Sequence, residues 1–182
     1  MKKSDARVRY TKCVLKEAFL TLLRKKPVSR ITVREVCTLA DINRSTFYTH
    51  YRDCFDLMEE IENELLGEFA SSLKYIREAD VPSLIEGIYL MVEKHEEACR
   101  VLVFGGASPS VLSRMIDIAR DNTISAWKAR LPRASESDLE MLYTHLSTGL
   151  MNVVVSGYDR YGKEDIVRFV KSIVNASLAL YE

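Results

Sequence analysis

Residues 31–51, ITVREVCTLADINRSTFYTHY, crowd hydrogen-bonding side chains into two short segments. Thr32 followed three residues later by Glu35 is a capping-box pattern, in which the Thr hydroxyl accepts from the Glu35 N–H and the carboxylate reaches back. Val33, Val36, Cys37 and Ala40 then recur at roughly helical spacing and predict one buried stripe. Asp41-Ile42 is expected to turn the chain, and Asn43 to cap a second helix. That helix carries Arg44, Ser45, Thr46, Tyr48, Thr49 and His50 around two apolar anchors, Phe47 and Tyr51. A helix serving only a core has no use for so many polar groups in one turn. A helix lying in a DNA groove does, because phosphate oxygens and base edges accept from such groups.

The charge distribution supports the same reading. The chain of 182 residues has no net charge, yet residues 1–53 hold 13 Lys and Arg against 5 Asp and Glu. The remainder must then hold 13 against 21, so a head of +8 precedes a body of −8. Such a split suits a head that seeks phosphate and a body that does not. Domains are accordingly expected at 1–53 and 54–182.

The elements that must position this segment are helical nearly throughout, with only 7 Gly and 4 Pro to interrupt them. A first helix is predicted from Ser4 or Asp5 to Lys25, with Val14, Leu15, Ala18, Phe19, Leu22 and Leu23 inward; Pro27 stops it. Asp53 is the expected N-cap of a long helix reaching about Ala79, with Phe55, Leu57, Met58, Ile61, Leu65, Leu66, Phe69 and Leu73 inward. Pro82 opens a helix over about 82–97, and a short turn near Ala98–Phe104 stops at Gly105-Gly106. Ser108-Pro109 reads as cap and first residue of a helix to about Leu131, which Pro132 breaks. Two further helices are predicted over about 136–157 and 163–181. The expected fold is all-α, about nine helices in total: a three-helix head with a helix-turn-helix, then a helical body for ligand binding and dimerisation.

Taken together, Ile31-Thr32-Val33-Arg34-Glu35-Val36, Ala40-Asp41-Ile42, Ser45-Thr46-Phe47-Tyr48-Thr49-His50-Tyr51 and Asp53 resemble the DNA-binding head of the TetR family of bacterial transcriptional regulators. The resemblance covers about residues 8–66 and implies a dimer whose two heads read a palindromic operator, usually with a small ligand in each body. By position it implies that Arg34, Arg44, Ser45 and Thr49 can face base edges. It implies that Thr32, Thr46, Tyr48 and His50 hold phosphates, with Lys2, Lys3, Arg7 and Arg9 extending over the backbone or into a minor groove. The chain departs from the family at Asp41, where Gly is common, and at Cys54, where a phosphate-binding Lys is common.

In the body, the predicted helices 8 and 9 are the expected homodimer interface. One carries Leu139, Leu142, Tyr143, Leu146, Leu150, Val153 and Val154 beside small Ser147, Gly149 and Ser156. The other carries Ile166, Phe169, Val170, Ile173, Val174, Leu178 and Leu180. The alternative is that these faces complete the subunit's own core. Phe69, Tyr75, Tyr89, Met91, Phe104, Met115, Trp127 and Met151 are candidates to line a cavity for a hydrophobic effector, though Met and aromatic residues at this spacing also make plain core. Cys54, at a helix N-terminus, is expected to have a lowered thiol pKa if it serves as a redox sensor; Cys13, Cys37 and Cys99 read as small buried residues.

Other classes find no residues to carry them. There is no Gly-rich phosphate loop, no metal-ligand spacing and no nucleophile beside a base, so no catalytic residue, metal or cofactor is expected. No run of about 18 uncharged apolar residues spans a membrane, and scattered Cys fit a reducing cytoplasm, with the nucleoid as the working location. The remaining rival is a helix-turn-helix architectural or protein-interaction factor without an effector.

Overall fold

The computed structural model describes residues 3–73 and 81–181, with side chains from residue 6 to 73 and from 85 onward. The predicted helix end near Ala79, the cavity candidate Tyr75, Lys2 and the Lys3 side chain lie outside the described residues. Those residues form nine α-helices and no strand: α1 Lys3–Leu23, α2 Val33–Ala40, α3 Arg44–Tyr48, α4 Cys54–Leu73, α5 Val81–Lys94, α6 Glu96–Ala98, α7 Pro109–Arg130, α8 Glu136–Gly157 and α9 Lys163–Leu178. A 3₁₀ turn over Val28–Arg30 precedes α2, and a π-helical turn over Cys99–Phe104 follows α6. No single described helix is long and apolar enough to cross a membrane.

The chain divides into two compact units, Met1–Leu65 with Glu97–Ala107, and Leu66–Glu96 with Ser108–Glu182. In the first, α1 packs on α2 and α2 on α3. Leu15, Phe19, Val36, Phe47, Leu57 and Leu65 are fully buried there, with Leu23, Cys37, Tyr51 and Ile61 nearly so. The head boundary read from the sequence falls at residue 53, whereas this unit includes the opening of α4, whose Leu57, Ile61 and Leu65 belong to its core. Phe55 departs from expectation. It was assigned to the inner face of α4, yet it is 57% exposed, because the buried stripe runs through Cys54, Leu57, Met58 and Ile61 and leaves position 55 outside.

The mid-chain segment of this unit has its own geometry. Across the π turn the Gly105 N–H donates to the Arg100 carbonyl at 2.9 Å, the wider spacing that defines a π bulge. A Cβ at Gly105 would stand 2.8 Å from the Val101 carbonyl oxygen, and Gly106 has φ +68°, so the two glycines are what the exit from this turn demands.

In the second unit α7 packs on α8, α8 on α9 and α5 on α9. Ser135 opens α8 with a capping box to Asp138. Ser108 stands at the predicted cap position of α7, but its hydroxyl meets Ser110 Oγ at 3.0 Å and makes no capping bond. Val111, Met115, Leu131, Leu139, Val154 and Ile166 form the core, and the buried Tyr143 hydroxyl is satisfied by the Ile116 carbonyl at 2.5 Å. Arg120 binds Glu140, and Lys163 binds Glu86.

Candidate nucleic-acid interface

The interface is assembled by three local devices. The Thr32 hydroxyl accepts from the Glu35 N–H at 3.3 Å while Glu35 Oε2 accepts from the Thr32 N–H at 3.0 Å, so the predicted box starts α2. A box of this kind contributes about 0.5–2 kcal/mol of helix stability. Lys26 Nζ binds the other Glu35 oxygen at 2.6 Å. Asp41 then ends α2 with φ 54°, ψ 42°, the left-handed conformation that Asp tolerates better than most residues. Asn43 stands at the N-cap of α3 with extended backbone, but its side chain makes no capping bond. The expected cap is therefore corrected: α3 starts without side-chain help, and the Asn43 amide is left facing outward.

On this frame Thr32, Arg34, Asn43, Arg44, Ser45, Tyr48 and Thr49 are exposed, Thr46 and His50 half-buried, and Phe47 and Tyr51 buried. Phe47 packs edge-on to Tyr48 at 5.7 Å and against Tyr51 at 5.6 Å, so the apolar anchors hold α3 while Tyr48 stays 58% exposed. Arg34, Cys37, Thr38, Asp41, Ile42, Asn43 and Arg44 line an open groove of about 430 Å³ across the turn. The sequence reading missed Thr38, which lies one turn beyond Arg34 on the same helix.

Charge sorts the cations of this unit into two sets. Lys12 and Lys16 bind Glu60, Lys26 binds Glu35, Arg24 binds Glu97 and Arg52 binds Asp56. Arg34 and Arg44 make no ion pair among the described residues, so their guanidinium groups are available to an external acceptor.

The paired carboxylates are strongly acidic. The Lys26 ammonium and the Thr32 hydroxyl and N–H hold Glu35 at about 2. Burial alone would raise Glu60, but hydrogen bonds from Lys12, Lys16 and Tyr51 outweigh it and hold that group at about 2 as well. A carboxyl whose folded pKa lies below its ordinary 4.5 stabilises the fold above that value and loses this contribution as pH falls toward 2. Melting temperature is thus expected to hold steady from pH 7 to about 5 and to fall between about 4.5 and 2. The fall should be shallower in Glu60→Gln; circular-dichroism melts that coincide across this window would refute it.

The Cys54 thiol is not lowered, as redox sensing there would need. Burial, reinforced by the Asp53 carboxylate, pushes its thiol up to about 11, because the side chain turns into the core. Asp53 does cap α4, its Oδ1 accepting from the Phe55 and Asp56 N–H groups at 2.8 and 2.9 Å. Cys37 and Cys99 are buried as expected, but Cys13 is exposed on α1.

The candidate effector residues fall in both units. Phe69, Tyr89, Met115, Trp127 and Met151 are buried in the second unit, whereas Phe104 is half-buried and groups with the first. Trp127 packs edge-on to Tyr143, and Tyr89 lies 5.2 Å from Tyr158 with its hydroxyl buried and unpartnered. On α8 and α9, Leu139, Tyr143, Leu146, Leu150, Val154, Ile166, Val170, Val174 and Leu178 are buried within the protomer. Of the residues assigned to a partner-facing surface, Gly149, Ser156, Phe169, Ile173 and Leu180 are exposed.

The first unit carries a helix-turn-helix with Arg34 and Arg44 across its turn, and the described residues form nine α-helices. No family model matches the sequence. The solved structure of a TetR transcriptional regulator from Streptococcus agalactiae is similar with a TM-score of 0.68 and 21% identity, covering 94% of this chain and 97% of that one. A transcriptional regulator of the TetR/AcrR family from Aquifex aeolicus gives 0.65 and 16% over 91% and 98% of the two chains. The dihydroxyacetone kinase operon activator DhaS gives 0.62 and 13% over 94% and 98%. Among curated proteins, an uncharacterised HTH-type transcriptional regulator of Bacillus subtilis, YxbF, is 31% identical over 51 residues. That match takes in 28% of this chain and 13% of the relative's length. The chain has the TetR-family fold.

Proposed function

We propose that this chain is a sequence-specific DNA-binding regulator of transcription, acting as a homodimer on a palindromic operator in the cytoplasm. The observation that carries the reading is the pair Arg34 and Arg44, both exposed, both without an ion pair among the described residues, lining one groove across the α2–α3 turn. Arginine presents a rigid fork that fits guanine O6 and N7, whereas a merely solvated helix face has no reason to gather two around a turn. Thr32, Thr46, Tyr48 and His50 hold the flanking phosphates and set the register, with Asn43, Ser45 and Thr49 beside the bases.

The homodimer rests on α8 and α9. No Asp, Glu, Lys or Arg occurs from residue 141 to 158 or from 172 to 181, in a chain that is 29% charged. Met141, Ile173 and Leu180 are exposed on these segments, Phe169 is exposed just before the second, and Gly149 has no heavy atom near its missing Cβ. An uncharged, partly apolar face of this length suits a second copy packed as a four-helix interface about a two-fold axis. Repression, relieved by a mainly hydrophobic effector in the body, is the mode we assign. DhaS, similar in fold, is an operon activator.

Selection of bound fragments from random duplex DNA tests the whole reading. The expected product is one short palindrome, preferred over bulk duplex by about 10³-fold or more. Sequence-blind coating of every fragment would instead favour an architectural role, and no retention at low salt would refute DNA binding.

A further inference from the structure

Side chains from α1, from α4 and from the residue that follows α3 by three meet on one carboxylate in the first unit. Glu60, on α4, accepts from Lys12 Nζ at 2.6 Å through Oε2. Its Oε1 accepts from Lys16 Nζ and from the Tyr51 hydroxyl, each at 2.8 Å. Lys16 also reaches Glu64 Oε1 at 2.5 Å, and the Lys12 ammonium lies 5.4 Å from the centre of the Tyr51 ring. Tyr51 is thereby fixed twice, at its hydroxyl and over its face.

We propose that Glu60 is a positioning residue for the recognition helix: by holding the Tyr51 phenol it sets the angle at which α3 presents Arg44 and its neighbours. The inference rests on the DNA-binding reading of α3. That helix has only five residues and is too short to hold its own direction. Phe47 seats it in the core, but an apolar ring resists displacement more than rotation. A second, directional anchor must supply the angle, and hydrogen bonds to an ionised acceptor are short and directional. Tyr51 sits three residues past the end of α3, with its N–H on the Phe47 carbonyl at 2.9 Å, so its ring and hydroxyl are coupled to the helix by backbone.

The network also explains a choice of residue that packing alone does not. A phenyl ring would fill the Tyr51 position without requiring a carboxylate, two ammonium groups and their desolvation. Desolvation of the three charged groups offsets part of what these ion pairs contribute to stability. Beyond stability, their worth here is orientation. The same bonds tie the Lys12 and Lys16 ammonium groups to Glu60.

The test uses the full chain, the palindrome recovered from random selection and a scrambled duplex of equal length. Tyr51→Phe keeps ring and burial and deletes only the bond to Glu60; Glu60→Gln keeps an acceptor and deletes the charge. For Tyr51→Phe, as α3 loses its fixed angle, the Kd for the palindrome is expected to rise about tenfold and that for the scrambled duplex by much less, so that their ratio falls. Glu60→Gln should fall between that variant and wild type, because its amide oxygen still accepts from the phenol, and it carries the test alone if Tyr51→Phe fails to fold. A role in stability only would lower the melting temperature and leave the ratio of the two Kd values intact, and that result overturns the proposal. A wild-type chain that prefers no duplex removes the DNA reading and this inference with it. A wild type that selects, beside a Tyr51→Phe that selects equally well, removes this inference alone.

Discussion

Arg44→Ala is expected to abolish most of the preference for the operator while leaving binding to bulk DNA nearly intact. A bidentate arginine–guanine pair is worth about 1–3 kcal/mol of discrimination. A palindrome doubles that, so the specificity ratio should fall by roughly 30-fold to 10⁴-fold. Arg34→Ala tests the other wall of the groove and should relax preference at a different base. Tyr48→Phe makes the contrast. Its exposed hydroxyl is a phosphate donor in this reading, so its loss should weaken all duplexes alike, by about 0.5–1.5 kcal/mol per half-site. Anisotropy titrations against the palindrome and a scrambled duplex, at two salt concentrations, separate the two behaviours. Equal, sequence-blind losses from Arg44→Ala and Tyr48→Phe would sink the assignment of Arg44 to a base.

How much of this site the sequence disclosed depends on range. Thr32 and Glu35 are three residues apart, and so are Ser135 and Asp138; both capping boxes were legible, or available to be read, because their geometry is local. Phe47 and Tyr51 were legible as anchors because they are the two apolar residues in a polar helix. The Glu60 network was not, since Lys12 and Glu60 lie 48 positions apart and no periodicity links them. Cys54 shows a local rule losing to tertiary packing. A helix N-terminus favours thiolate only where the sulfur meets solvent or a cation, and here the buried stripe of α4 begins at that residue. The Asn43 cap failed more quietly: residue type and backbone agree with a cap, but the rotamer goes elsewhere.

The body was harder to read for a different reason. Periodicity reports that a helix has an apolar face but not which of two faces meets the protomer's own core. On α9 both exist. Ile166, Val170, Val174 and Leu178 recur every four residues and are buried, while Phe169 and Ile173, one residue earlier in the same rhythm, are exposed. The inward stripe was therefore read as interface together with the outward one.

That outward stripe carries the second large prediction. Ile173→Asp places a charge where the protomer leaves the side chain 45% exposed, so the isolated subunit should fold with little loss. In a two-fold interface the same substitution sets two carboxylates into an apolar seam, at a cost of several kcal/mol for burying unpaired charge. Sedimentation at micromolar concentration should then change from a dimer to a monomer. Operator affinity should fall by about 10²–10⁴, because the second half-site loses its effective concentration. Arg34 and Arg44 are untouched, so binding to a single half-site should persist at the wild-type monomer's level. Phe169→Asp should do the same, whereas Glu164→Ala, at the solvent-exposed start of α9, should leave both readouts unchanged. A wild-type chain that sediments as a monomer at every concentration would defeat the interface outright, and an Ile173→Asp chain that remains dimeric would move it to another face.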